Sequence, residues 1–170
     1  MSIILQDDDG NVADANAYLA LEEFQAYCVD RGLNIDAYDN DQQNAAIVIA
    51  TAYIDNDRWA GELLNEVQVT QFPRSYLYDR AGRLVEGLFR QLKHGCAEYA
   101  YQSLLNGGRL ELTPTFGTNG LIAVSETKKI GPLEKSTSYM AGSQYTKRPY
   151  PTADKLLAEF RKSVGQRVIR

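Results

Sequence analysis

The sequence predicts a mainly α protein: a small bundle of three main helices, a protruding β-hairpin, and an extended C-terminal arm that ends in a short helix. Three observations lead there. Three stretches before residue 108 carry apolar residues at helical spacing. The texture changes after "NGG", Asn106–Gly108, to a loop and two short strand-like runs. Pro151 then opens one last helical pattern. The 170 residues divide on this reading into a helical core (1–108), a loop and β-hairpin (109–142) and a C-terminal arm with a short helix (143–170).

The first helix is expected in "ANAYLALEEFQAYCVDRG". Leu21, Phe24 and Cys28 share one stripe, Glu22 and Glu23 suit its positive end, Arg31 suits its negative end, and Gly32 fits a left-handed stop. The second runs through "DNDQQNAAIVIATAYIDNDRW", with Asp39, Asn40 or Asp41 as cap. Its middle, Ala45 to Ile54, is apolar nearly all round, the mark of a central helix covered on most sides. Trp59 follows, placed to seal the core. The third is expected in "EGLFRQLKHGCAEYAYQSLLNGG", striped by Leu88, Leu92, Cys96 and Tyr99 and stopped by "NGG". Gly95 within it costs roughly 1 kcal/mol against alanine, so a close helix crossing is expected there. "LIAVSETKKIGPLEKSTSY" reads as two strands around "IGPL". Such a hairpin is marginal alone and has to lean on a neighbour. "MAGSQYTKRPY" is an extended linker. "YPTADKLLAEFRKSVG" starts the last helix, with Leu156, Leu157 and Phe160 on one face, and "QRVIR" is a loose tail.

Composition is that of a globular chain, with 44% hydrophobic and 24% charged residues. No long apolar run predicts a membrane span, and "MSIILQDDDG" lacks the basic and apolar regions of a signal peptide. Cys28 and Cys96 fall in helical apolar patterns and read as reduced core residues of a cytoplasmic setting. Charge is unevenly spread. Residues 1–85 hold 15 Asp/Glu against 5 Lys/Arg, a balance of −10, and residues 86–170 hold 7 against 13, a balance of +6. A dipolar chain of this kind can stack head to tail or lay its basic half on an acidic partner. The same split also serves mere solubility.

Catalytic chemistry is not signalled. His94 is the single histidine. With Cys28 and Cys96 it does not make up a zinc set, and no P-loop or dinucleotide fingerprint occurs. The acidic run Asp7–Asp9 lacks calcium-loop spacing and reads as a solvated terminus. No enzyme, metal or cofactor is expected.

Two stretches interleave aromatic and basic residues: "QFPRSYLYDRAG" (Gln71–Gly82) and "YTKRPY" (Tyr145–Tyr150). Stacking rings beside arginine and lysine suit single-stranded nucleic acid. Tyrosine and arginine equally enrich protein interfaces, and the chain is acidic overall, at −4. In the first stretch, Pro73 forces Phe72 to be extended and stops any helix, and "DRAG" reads as a turn with Gly82 at positive φ.

"ANAYLALEEFQAYCVDRG", "AAIVIATAYIDNDRWAG", "QVTQFPRSYLYDRAGRLVEGLFRQLKHGCAEYA", "KKIGPLEKSTSY" and "YPTADKLLAEF" occur in an order that resembles a family of tailed-bacteriophage proteins labelled "putative DnaT-like single-stranded DNA-binding protein". Its members look like head–tail connector (adaptor, head-completion) proteins. The most specific piece is a Trp/Phe-Pro-Arg-Ser segment, here Phe72–Ser75, before a helix with Cys-Ala-Glu, here Cys96–Glu98. Phe72 stands where tryptophan is frequent. The resemblance covers nearly the whole chain, with 109–119 the least matched.

That resemblance implies a structural subunit of the phage neck. Copies would form a dodecameric ring under the portal protein, with the arm towards the portal and the other face towards a downstream neck or tail protein. Packaged DNA could touch the pore non-specifically, and no membrane is involved. The expected site is the virion neck, after assembly in the host cytoplasm. On this reading Trp59, Phe72 and Pro73 anchor the core. Arg74, Tyr76, Tyr78, Tyr145, Lys147, Arg148, Tyr150, Phe160, Arg161, Arg167 and Arg170 are expected at subunit or partner contacts. The competing expectation is a DnaT-like single-stranded DNA-binding replication accessory protein.

Overall fold

A computed structural model of the chain describes residues 2–110, two strands at 123–129 and 134–139, and residues 150–162. The chain falls into two compact units, Met1–Leu110 with Pro149–Arg170, and Glu111–Arg148. Among the described residues it is mainly α, with four helices and a hairpin.

In the first unit, α1 spans Leu21–Arg31, α2 Asn40–Asp55, α3 Arg90–Leu105 and α4 Pro151–Leu157, the last continued by a single 3-10 turn, Ala158–Phe160. Local signals set several limits. The Asp39 carboxylate accepts the Gln42 backbone N–H at 2.8 Å, and the Gln42 side chain accepts the Asp39 N–H at 2.9 Å, a reciprocal cap on α2. Gly32 closes α1 in the left-handed region at φ 64°. Pro151 begins α4, where its missing N–H is no loss.

α2 and α3 pack against each other as the centre of the core, and α4 lies on α3. Gly95 makes the second contact possible: a Cβ there would stand 2.9 Å from Leu157 Cγ. The expected close crossing exists, with α4 as the partner. Cys28 and Cys96 are free and buried. Burial pushes the Cys96 thiol up to about 12 and the Cys28 thiol up to about 11, so both stay protonated.

Two helices start later than their patterns predict. Residues 15–20 are not helical: Ala17 forms a bridge and Tyr18–Leu19 a bend. Gln6 N–H donates to the Ala17 carbonyl at 3.0 Å, and Leu5 bridges Ala17. Ala17, Tyr18 and Leu19 are consecutive and all buried. A helix at the edge of a core buries one stripe, so three successive buried residues fit an irregular segment surrounded by the core better than a helical turn. α3 begins at Arg90 because Gly87 takes φ 61° against Asp8, whose carboxylate accepts the Leu88 N–H at 2.8 Å.

The C-terminal arm is corrected in its described part. Residues 150–162 belong to the helical core. Ala60 N–H donates to the Phe160 carbonyl at 2.9 Å, Lys162 N–H donates to the Arg58 carbonyl at 3.0 Å, and Trp59 bridges Arg161. The reason is apolar: Leu157 and Phe160 are fully buried, and leaving them in water would forfeit about 2 kcal/mol each.

Between α2 and α3 lies an irregular segment. β1 (Glu62–Leu63) pairs antiparallel with β2 (Arg74–Ser75). In the second unit, β3 (Ala123–Lys129) pairs antiparallel with β4 (Glu134–Tyr139), as "IGPL" predicts.

Candidate functional site

Phe72 and Pro73 are buried and joined by a cis peptide bond. The Phe72 ring meets Trp59 at 5.1 Å and Phe89 at 5.7 Å between centroids, and Phe89 meets Phe160 at 4.6 Å. The three expected anchors, Trp59, Phe72 and Pro73, are therefore core residues. Polar ties hold the segment from below. Phe72 N–H donates to Tyr18 Oη at 3.1 Å, the Tyr18 hydroxyl donates to Asp55, and Gln71 N–H donates to Asp55 at 3.0 Å. Burial raises the Asp55 carboxyl above its ordinary value, although Tyr18 and Gln71 pull it down.

Arg74 was expected at a partner contact; it is half-buried at the groove and uses its donors within the chain. Its guanidinium donates to the carbonyls of Ala60 at 2.7 Å, Gln71 at 3.0 Å and Gly61 at 3.0 Å. A planar fork with fixed donors can satisfy three backbone acceptors together, which explains the inward turn. Arg80 pairs with Glu159 at 4.0 Å, and Arg83 pairs with Asp79 at 2.8 Å. The "DRAG" turn forms as predicted, with Gly82 at φ 75°.

Tyr76 and Tyr78 do face outwards, 68% and 52% exposed. They line an open groove with Arg74, Leu64, Leu84, Val85 and Leu88, bordered by Asp8, Asp9 and Glu86. Of the eleven large apolar residues exposed among those described, seven lie between Leu63 and Leu84. Four of those seven, Leu64, Tyr76, Tyr78 and Leu84, line the groove together.

The remaining expected contacts divide in two. Tyr150 and Phe160 are buried in the core of the chain. Tyr150 donates its hydroxyl to the Leu110 carbonyl, and its ring packs against Tyr53 and Tyr99. Arg161 is engaged within the chain, with Asp57 at 2.9 Å, with Asp154 at 2.9 Å, and over the Trp59 ring at 5.8 Å. Their distant partners could not be read from local pattern. Tyr145, Lys147, Arg148, Arg167 and Arg170 lie outside the described residues.

A second cleft lies between α1 and α3, with Arg31, Arg90, Lys93 and His94 around Tyr27 and with Glu23 and Asp30 beside them. Helical spacing places Arg90, Lys93 and His94 on one side of α3, a signal legible in the sequence but missed. Lys93 is paired with Glu23 at 2.7 Å. Tyr27 is buried, its ring covered by His94 at 4.8 Å and Arg31 at 5.1 Å, and its hydroxyl donates to Glu98 at 2.7 Å. Burial, then Arg90 and Arg31, lower the His94 pKa, so the imidazole is neutral at pH 7.

Chemically, the groove offers apolar and aromatic surface with a negative border. The cleft offers cations without an open ring to stack on. Residues 2–110 and 150–162 together carry 19 Asp/Glu against 11 Lys/Arg. Among the described residues, no group of three His, Cys, Asp or Glu side chains could hold a metal, and no helix is long and apolar enough to cross a membrane.

A family model described as "Putative DnaT-like ssDNA binding protein" matches residues 1–170. That description coincides with the single-strand-binding expectation and says nothing of a phage neck. No curated protein and no solved structure matches the chain.

Proposed function

We propose, for a chain that belongs to the DnaT-like ssDNA-binding family over its full length, a role as an assembly subunit that docks protein through the Tyr76–Tyr78 groove. One observation carries this reading. The groove exposes apolar and aromatic side chains beside Asp8, Asp9 and Glu86, and the one arginine that lines it, Arg74, has its donors taken by backbone carbonyls. The exposed Arg80 and Arg83 do not line it and pair with Glu159 and Asp79. Phosphates approaching Tyr76 would meet three carboxylates, Asp8, Asp9 and Glu86, against the single guanidinium of Arg74. A protein partner gains from the same surface, because tyrosine in a desolvated patch anchors interfaces. In its finer form the subunit is a ring component of a tailed-phage neck, between portal and tail. The sequence likeness of Phe72–Ser75 and Cys96–Glu98 to connector proteins supports that form.

The second reading is single-stranded DNA binding. The family's own description favours it, and the cleft of Arg31, Arg90, Lys93 and His94 is where phosphates would lie.

A salt titration separates the two. With a fluorescent thymidine oligonucleotide, an assembly subunit shows weak or no binding at 50 to 200 mM salt, roughly the window in which counterion release is steep. Tight binding that falls steeply across that window, and weakens with Arg90→Ala, overturns the assembly role. Quantitative mass spectrometry of phage particles then tests the finer form, through a copy number that matches a ring around the portal.

A further inference from the structure

Tyr76 is, among the described residues, the one non-glycine residue at positive φ, 54°. A bulky side chain seldom takes that conformation. Its surroundings hold it there. Arg74–Ser75 pair with Glu62–Leu63, Leu77 is buried next door, and Tyr78 bridges Leu84. Strain fixed by an over-determined frame is characteristic of sites that clamp a ligand. Here the strained residue fills no core. It presents a ring that is 68% exposed at the edge of the groove.

The groove also states what its occupant must carry. Apolar walls from Leu64 and Leu84 ask for apolar side chains. Arg74 is held by backbone carbonyls and Asp8 already accepts the Leu88 N–H, so the excess of Asp8, Asp9 and Glu86 over that one arginine asks for positive charge. The chain supplies such a segment itself. Beyond Lys162, residues 163–170 read "SVGQRVIR": Val164, Val168 and Ile169 with Arg167 and Arg170, and no acidic residue. The geometry points to segment 163–170 of a second copy as the occupant of the Tyr76–Tyr78 groove. Groove and tail are different surfaces of one chain, so the contact is heterologous and can repeat until a ring closes. This deepens the assembly reading and rests on it.

The test uses two variants of the full protein, Tyr76→Ala/Tyr78→Ala and a chain ended after Lys162. Both altered tyrosines are more than half exposed and Phe160 is retained, so each variant should keep the wild-type melting temperature. Sedimentation equilibrium should show the wild-type chain self-associating and each variant doing so at least tenfold more weakly. Mixed in equal amounts, the two should form a 1:1 heterodimer, one donating the tail and the other the groove. A mixture that stays monomeric overturns the inference, as it must if the tail folds onto its own groove. If the shortened chain associates as well as the wild type, the inference falls while assembly through another face stands. Failure of the assembly reading itself is read separately, from the oligonucleotide and particle measurements.

Discussion

The C-terminal end of the core and the Tyr76–Tyr78 groove are built from the same residue types and use them in opposite ways. At the C-terminal end, Tyr99 donates to Asp154 at 2.7 Å, Arg161 bridges Asp154 and Asp57, and Tyr150 and Phe160 are buried. Every one of these groups has its partner inside the chain. In the groove, Arg74 is engaged inside and the tyrosines are left to solvent. Tyrosine and arginine content therefore does not reveal an interface. What separates the two regions is which rings keep an open face once the arginines have found their carbonyls and carboxylates.

The largest expected effect lies on the C-terminal side of this contrast. Phe160→Ala removes a fully buried ring in contact with Phe89 and should cost about 3–5 kcal/mol. Thermal unfolding should shift down by roughly 6 °C or more at this chain length. An unchanged melting temperature would mean that residues 150–162 are an arm after all.

A smaller effect concerns charge. Burial tends to raise the Asp154 carboxyl, but hydrogen bonds from Tyr99, Arg161 and the Tyr150 N–H outweigh it and hold the pKa below the ordinary carboxylate value. A depressed carboxylate contributes stability that is present above its unfolded pKa and lost as pH falls through the folded one. Asp154→Asn should thus cost about 2 kcal/mol at pH 7, and the gap to the wild type should close in acid below the usual carboxylate range. Denaturant unfolding at both pH values measures it. A gap that persists in acid would assign the loss to shape and not to charge.

The smallest effect lies in the groove and sharpens the comparison most. Tyr76→Gly relieves the positive φ, so stability should hold or rise by about 1 kcal/mol, read from the melting temperature, while self-association is lost. Loss of stability would show that Tyr76 serves the fold.

Much of the fold was legible in short stretches. The Asp39–Gln42 cap, the Gly32 stop, the "NGG" stop, the "DRAG" turn and Pro151 at the head of α4 each depend on a few neighbouring residues. The candidate groove was legible only in part. Tyr76 and Tyr78 could be named as outward residues, but Arg74, Tyr150, Phe160 and Arg161 were placed on the same footing and turned out to be engaged within the chain.

The sequence by itself determined where α1 and α3 stop, where α2 and α4 start, which strands flank "IGPL", and that Pro73 breaks the chain's helical run, because backbone dihedrals and caps answer to local chemistry. Tertiary structure alone decided the rest. Residues 15–20 stay out of α1 because Leu5 and Gln6 pair with Ala17. Residues 150–162 join the core because Gly95 leaves room for Leu157. Tyr150 turns inward because Leu110, forty residues away, offers it a carbonyl. Whether a ring or a guanidinium is buried depends on partners distant in the chain, and no local pattern encodes them.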